Sequence, residues 1–155
     1  MHRATGPYEV ALAGFTFAPI DKSRIKELAD VFVSGYEGTV DYEDETQEDG
    51  EKYLRNVFSD AWGDFLEAFS WVALDGTAVA GICIALLHRQ LAVPFVAFLV
   101  TKSEYKRQGI GRALMLKCID SLHGSGIGEA ILFVTDTNYQ AIALYESLGF
   151  AAEDL

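Results

Sequence analysis

The stretch Leu99-Val100-Thr101-Lys102-Ser103-Glu104-Tyr105-Lys106-Arg107-Gln108-Gly109-Ile110-Gly111-Arg112-Ala113-Leu114-Met115-Leu116 decides how this chain is read. Ahead of it, Phe95-Val96-Ala97-Phe98 joins Leu99 and Val100 in a short run of aromatic and β-branched residues, the composition of a buried strand. Behind it, Ile110, Leu114, Cys118 and Leu122 recur every fourth residue, with Ala113 at an i+3 position, which makes one face of a helix. Between strand and helix stands Lys106-Arg107-Gln108-Gly109-Ile110-Gly111-Arg112, basic and glycine-bearing.

A turn of this kind suits an anion. The first N–H groups of a helix have no partner within it, and the helix dipole is positive at that end. Glycines let the main chain approach a ligand with no Cβ between, and basic side chains add charge. A pyrophosphate meets these conditions. The turn is not a Walker loop, because G-x-x-x-x-G-K-[ST] is absent. It is not a dinucleotide fingerprint either, because Arg112-Ala113-Leu114 supplies no third glycine.

A second stretch, Asn138-Tyr139-Gln140-Ala141-Ile142-Ala143-Leu144-Tyr145-Glu146-Ser147-Leu148-Gly149-Phe150, follows about one βα unit later. Together and in this order the two resemble the signatures of the GNAT acetyltransferase superfamily, [QR]-x-x-G-x-[GA] and N-x-x-A-x-x-L-Y-x-x-x-G-F. The resemblance runs from about Ile20 to Phe150, with identity concentrated in the last third of the chain.

The resemblance implies an α/β fold with a splayed mixed sheet, acetyl-CoA held in the splay as acyl donor, and no metal. It implies an N-acetyltransferase that moves an acetyl or other short acyl group to a primary amine of a small molecule or peptide, by direct attack in a ternary complex. Gln108, Gly109, Ile110, Gly111 and Arg112 become phosphate contacts, mostly through backbone N–H. Lys106 stands where the family usually has Gln or Arg, with Arg107 beside it. Leu99 and Thr101 fall where the family's strand offers main-chain groups to the pantetheine arm, and an N–H of that strand polarises the thioester carbonyl. Asn138 matches an asparagine that contacts the cofactor arm; it is equally a favoured helix N-cap. Tyr145 matches the acid that protonates the departing thiolate, and a phenol titrating at about 10 can serve a thiol titrating at about 8.5.

The general base stays open. Phe95 to Val100 carries no carboxylate, and the candidates are Asp136, His88, Glu104 and the acids of the segment Asp41–Glu45. Serines and cysteines form no nucleophile motif, which argues against an acyl-enzyme. The rival reading is a catalytically idle relative that holds acyl-CoA and acts through a partner.

Composition bounds these readings. At 155 residues the chain suits one domain, 1–155, with Met1 to Gly14 as tail or lead-in. The longest apolar runs, around residues 78–87 and 91–100, are too short to span a bilayer as helices, and no apolar signal core follows the start. The expectation is a cytoplasmic protein without a membrane partner. Cys83 and Cys118 lie in apolar stretches and read as buried free thiols. The net charge of −11 argues against nucleic acid, including a tRNA-linked acceptor. Glu37 to Glu51 holds eight acids and no base, while Lys102, Lys106, Arg107, Arg112 and Lys117 gather around the turn. The acidic segment either draws a cationic acceptor or is a solvated loop.

Taken in order, Phe15–Ile20 alternates like a strand, and Ile25, Leu28, Ala29 and Phe32 make a helical stripe. A second helix carries Leu54, Val57, Phe58 and Ala61 and ends near Trp62-Gly63. Phe69–Leu74, Ala78–His88 and Leu91–Thr101 form an antiparallel meander, with Asp75-Gly76 as its first turn. The helix from about Gly109 to His123 leads to a strand at Ala130–Thr135, parallel to the strand at 95–101 by right-handed crossover. A last helix follows Asn138, and Phe150–Leu155 leaves room for one short strand. The order β-α-α-β-β-β-α-β-α-β is the GNAT-like one, antiparallel strands first and then a parallel splayed pair. Its final strand pair is shortened: either a last strand is missing, or a second chain supplies it, or the edge is simply short, and an exposed edge there invites pairing with a second copy as a homodimer.

Overall fold

The computed structural model describes residues 1–39 and 42–152. Its strands are β1 (His2–Ala4), β2 (Thr16–Pro19), β3 (Asp64–Phe65), β4 (Trp71–Asp75), β5 (Ala78–His88), β6 (Val93–Thr101) and β7 (Glu129–Leu132). Its helices are α1 (Ile25–Tyr36), α2 (Gln47–Phe58), α3 (Ile110–Gly124) and α4 (Tyr139–Ser147). One sheet runs in the order β1-β7-β6-β5-β4-β2, with β3 added to β5. All pairings are antiparallel except β6 with β7.

β5 is apolar almost without a break because both its faces are covered. Ala80, Cys83 and Ala85 pack into the core beneath α3, while Val79, Ile82, Ile84 and Leu86 pack into the core that holds Leu28, Ala29 and Phe32 of α1 and Leu54 and Val57 of α2. The expected stripes of α1 and α3 therefore face opposite sides of one sheet. Cys83 and Cys118 are buried free thiols, as expected.

The end of α1 lies hard against β6. A Cβ on Gly35 would fall 2.1 Å from Val100 Cγ1 and 2.8 Å from the Thr101 carbonyl oxygen. Gly35→Ala is expected to lower stability by about 2–3 kcal/mol, the usual scale of overpacking, because backbone must move. A chemical denaturation midpoint unchanged by the substitution would show that α1 has room to shift.

Several boundaries differ from the sequence reading. α2 begins inside the acidic segment, at Gln47, and ends at Phe58, short of Trp62. A capping box explains the start: Thr46 Oγ1 accepts from Asp49 N–H, and the Asp49 carboxylate accepts from Thr46 N–H. The β4–β5 turn is Gly76-Thr77, since Asp75 pairs with Ala78.

The largest correction concerns Met1 to Gly14. His2–Ala4 is a strand antiparallel to β7, with His2 opposite Ile131 and Ala4 opposite Glu129. Phe150–Leu155 forms no full strand among the described residues; Ala151 makes an isolated bridge to His2, by hydrogen bonds of 2.9 Å in both directions. The chain's first strand thus lies between β7 and Ala151, in the place where the sequence reading found the final strand pair shortened. Asp41 and residues 153–155 of the expected last strand lie outside the described residues.

Candidate functional site

β6 and β7 pair at only two positions, Phe95 with Ile131 and Val96 with Leu132. β7 then ends, while β6 continues to Thr101. Residues 133–135, expected as strand, instead leave the sheet. Ala97 has no opposite number on β5, because Val96 faces Ala85 and Phe98 faces Ile84. This bulge sits where the two parallel strands part, and a bulge bends its strand.

The parting opens a cleft of about 880 Å³. One wall is β6 from Val96 to Thr101, and the other is Phe133, Val134 and Thr135. Lys102 N–H donates to Ala80 O, so the peptide groups of alternate residues face β5 and those of Leu99 and Thr101 face the open edge. These are the two residues that the sequence reading assigned to the pantetheine arm.

The N-terminus of α3 stands at the same cleft. Gly109 is its N-cap, at φ 83°, in the region that favours glycine, and no side chain caps this end. Ala113 N–H closes the first turn on Gly109 O. The N–H groups of Ile110, Gly111 and Arg112 precede that bond and remain for a ligand. Arg107, also left-handed at φ 65°, and Arg112 line the cleft beside them. Arg112 also donates to Ser147 Oγ of α4 at 3.2 Å.

Two assignments look different in three dimensions. Gln108 is exposed and does not line the cleft. Lys106 lines it, but its Nζ donates to Gly35 O at the end of α1, at 2.7 Å. Asn138 caps α4, its Oδ1 accepting from Ala141 N–H at 3.2 Å, and it also lines the cleft. Tyr145 faces the cleft with Ala141 and Leu144 of the same helix, and its ring meets Phe150 edge-on at 6.1 Å.

Of the candidate bases, the cleft is lined by Glu43 and Glu45. Asp136 does not line it. Glu104 pairs with Lys102 at 3.0 Å, and His88 Nδ1 accepts from Leu91 N–H, its ring packed against Phe95 and Phe133. The thiol of Cys83 lies buried and is pushed well up by the hydrogen bond with Cys118 and by burial.

An aromatic wall that no sequence pattern announces stands on the α1–α2 side. Phe32 lies 4.9 Å from Phe98, 5.1 Å from Tyr36 and 6.0 Å from Tyr53, and Trp62 bridges Tyr53 and Phe98. All five line the cleft, with Glu43 and Glu45 beside them. Phe32 stood in the α1 stripe, which Tyr36 continues by one turn; Tyr53, Trp62 and Phe98 come from segments with no shared periodicity.

The family model of the acetyltransferase (GNAT) family matches residues 25–150. The chain belongs to this family. Across 47 residues, 30% of the chain and 32% of the relative, it is 53% identical to the [ribosomal protein bS18]-alanine N-acetyltransferase of Escherichia coli K12. Across 102 residues, 64% of the chain and 65% of the relative, it is 33% identical to N-alpha-acetyltransferase 30 of Schizosaccharomyces pombe. The matches thus span about a third and about two thirds of these relatives. Among solved structures, PH1933 of Pyrococcus horikoshii OT3 matches at TM-score 0.74 and 26% identity over 91% of each chain. The PaiA N-acetyltransferase of Thermoplasma acidophilum, solved with coenzyme A, matches at TM-score 0.71 and 20% identity over 91% of this chain and 92% of that one. The GNAT fold and the mixed, splayed sheet are therefore as the two motifs indicated. Among the described residues, no helix is long and apolar enough to cross a membrane.

Proposed function

We propose that this GNAT protein moves an acetyl group from acetyl-CoA to a primary amine, by attack of the amine on the thioester while both are bound. The observation that carries this reading is the parting of β6 from β7 beside the uncapped N-terminus of α3. The N–H groups of Ile110, Gly111 and Arg112, which have no partner within the helix, suit a pyrophosphate, with Arg107 and Arg112 adding charge. The open edge of β6 at Leu99 and Thr101 offers hydrogen bonds to an extended amide-bearing arm, and a donor for the carbonyl oxygen as charge develops there. Once the ammonium has given a proton to solvent, the neutral amine attacks the carbonyl carbon and forms the new C–N bond; the C–S bond breaks, Tyr145 protonates the departing thiolate, and the proton that the nitrogen sheds on becoming an amide returns through solvent to the phenol.

The acceptor enters past the aromatic wall and Glu43 and Glu45. An amine arrives as an ammonium, and a carboxylate beside aromatic rings suits that charge. The names of the two relatives, one for an alanine of a ribosomal protein and one for N-alpha-acetylation, favour the α-amino group of a protein or peptide as the acceptor. Glu45→Gln is expected to raise KM for a peptide amine by about five- to tenfold, or about 1 kcal/mol, with the acetyl-CoA Kd unchanged. An unaltered KM would place the acceptor elsewhere.

Thermal stability with acetyl-CoA, CoA or ATP tests the donor first. A ligand that binds only the folded state at a hundredfold excess over Kd stabilises by about 2.7 kcal/mol. An upward shift with acetyl-CoA and CoA, little shift with ATP, and CoA release on adding peptide amines is the expected result. No shift at millimolar acetyl-CoA overturns the reading. Binding without CoA release from any amine favours the idle relative instead.

A further inference from the structure

Residues 102–106 lead into the phosphate turn, and they are fastened to the last turns of α1 at successive points. Lys102 Nζ lies 3.3 Å from the Asp30 carboxylate. Ser103 N–H donates to Ser34 Oγ at 3.1 Å, and the hydroxyls of Ser34 and Ser103 share a hydrogen bond of 2.8 Å. Lys106 Nζ donates to Gly35 O at 2.7 Å. That carbonyl belongs to the open C-terminal end of α1, where a helix leaves its last oxygens without partners and its dipole is negative. An ammonium is the group such an end favours.

The two segments so joined end in different walls of the cleft. Directly after Lys106 come Arg107 and the α3 N-terminus. Directly after Gly35 come Tyr36 and Thr39, both lining the cleft, with Thr39 N–H and Oγ1 donating to Tyr36 O. Gly35 has no side chain and lets α1 approach Val100 and Thr101 of β6 closely, just ahead of the fastened segment.

We propose that Lys106 is a positioning residue: it ties the phosphate turn to the end of α1, so that occupation of the turn is felt at the acceptor wall through Tyr36 and Thr39. Its ammonium serves the α1 carbonyl and is not a phosphate contact. The part concerning donor occupation rests on the proposed acetyl-CoA site; the part concerning the tie does not.

Hydrogen exchange of the purified protein, with CoA as probe, separates the two. In the ligand-free protein, Lys106→Met is expected to speed exchange of the amides from Tyr36 to Thr39 by about tenfold while buried amides of α3 keep their rates, and Lys106→Arg to restore most of the protection. Unchanged exchange in the ligand-free variant overturns the proposal whether or not CoA binds. With CoA added, the parent is expected to slow these amides further and Lys106→Met to bind CoA within about twofold of the parent, yet lose that slowing. A loss of CoA affinity of about tenfold, with a weaker dependence on salt, would instead make Lys106 a phosphate ligand and overturn the assignment. Failure of the parent to bind CoA removes the proposed function, and the ligand-free arm still decides the tie.

Discussion

Gly111→Ala is expected to give a protein at least as stable as the parent that no longer holds acetyl-CoA. A Cβ at this position meets nothing closer than Thr101 Oγ1 at 3.7 Å and Leu144 Cδ2 at 3.8 Å, ordinary contacts that strain nothing. Gly111 is the second residue of α3, and replacing glycine by alanine within a helix gains up to about 1 kcal/mol in propensity. The fold therefore does not need the glycine. An anion resting on the N–H groups of Ile110, Gly111 and Arg112 does, because the methyl group would stand between it and the main chain. The acetyl-CoA Kd is expected to rise by about a hundredfold, or about 2.7 kcal/mol. Calorimetric titration checks the affinity and thermal denaturation the stability. A stable variant that binds acetyl-CoA like the parent would move the pyrophosphate away from this turn.

Tyr145→Phe is expected to spare binding and lower turnover. Phenylalanine keeps the ring that meets Phe150 and the cleft-facing surface beside Leu144, so the acetyl-CoA Kd should stay put. Only the hydroxyl is lost, and a positioned general acid contributes about a hundredfold or more to rate. A fall in kcat of that size is expected, together with loss of the alkaline limb of the pH–rate profile, the limb on which an acid loses its proton. Turnover and profile like the parent's would leave Tyr145 as a packing residue.

The sequence was legible where local rules and burial agree. The meander around β5, the buried faces of α1 and α3, and the glycine turn at Gly109 each follow from short-range pattern and from the two-sided burial of the central strands. It was illegible where a role depends on a distant partner. His2–Ala4 is short and has no apolar alternation; only the free edge of β7 makes it a strand. Lys106 reads as one more cation of a phosphate loop until the end of α1 is seen beside it. Tyr53, Trp62 and Phe98 come from a helix, a loop and a strand, and only the fold makes them one wall. The start of α2 was hidden by its own acids, since Glu48 and Asp49 look like loop until Thr46 caps the turn they occupy.

The first strand also sets an order of assembly. The β4–β5 and β5–β6 connections close over a few residues, whereas Met1 and Leu132, which exchange hydrogen bonds across β1 and β7, stand 131 positions apart. Loop-closure entropy grows with separation, so pairing across that span follows the hairpins. β7 pairs with β6 at two positions and with β1 at three, so its place in the sheet rests on both neighbours. Because β7 leads directly into one side of the cleft, the opening residues of the chain, remote from the donor in sequence, brace the wall against which it would lie.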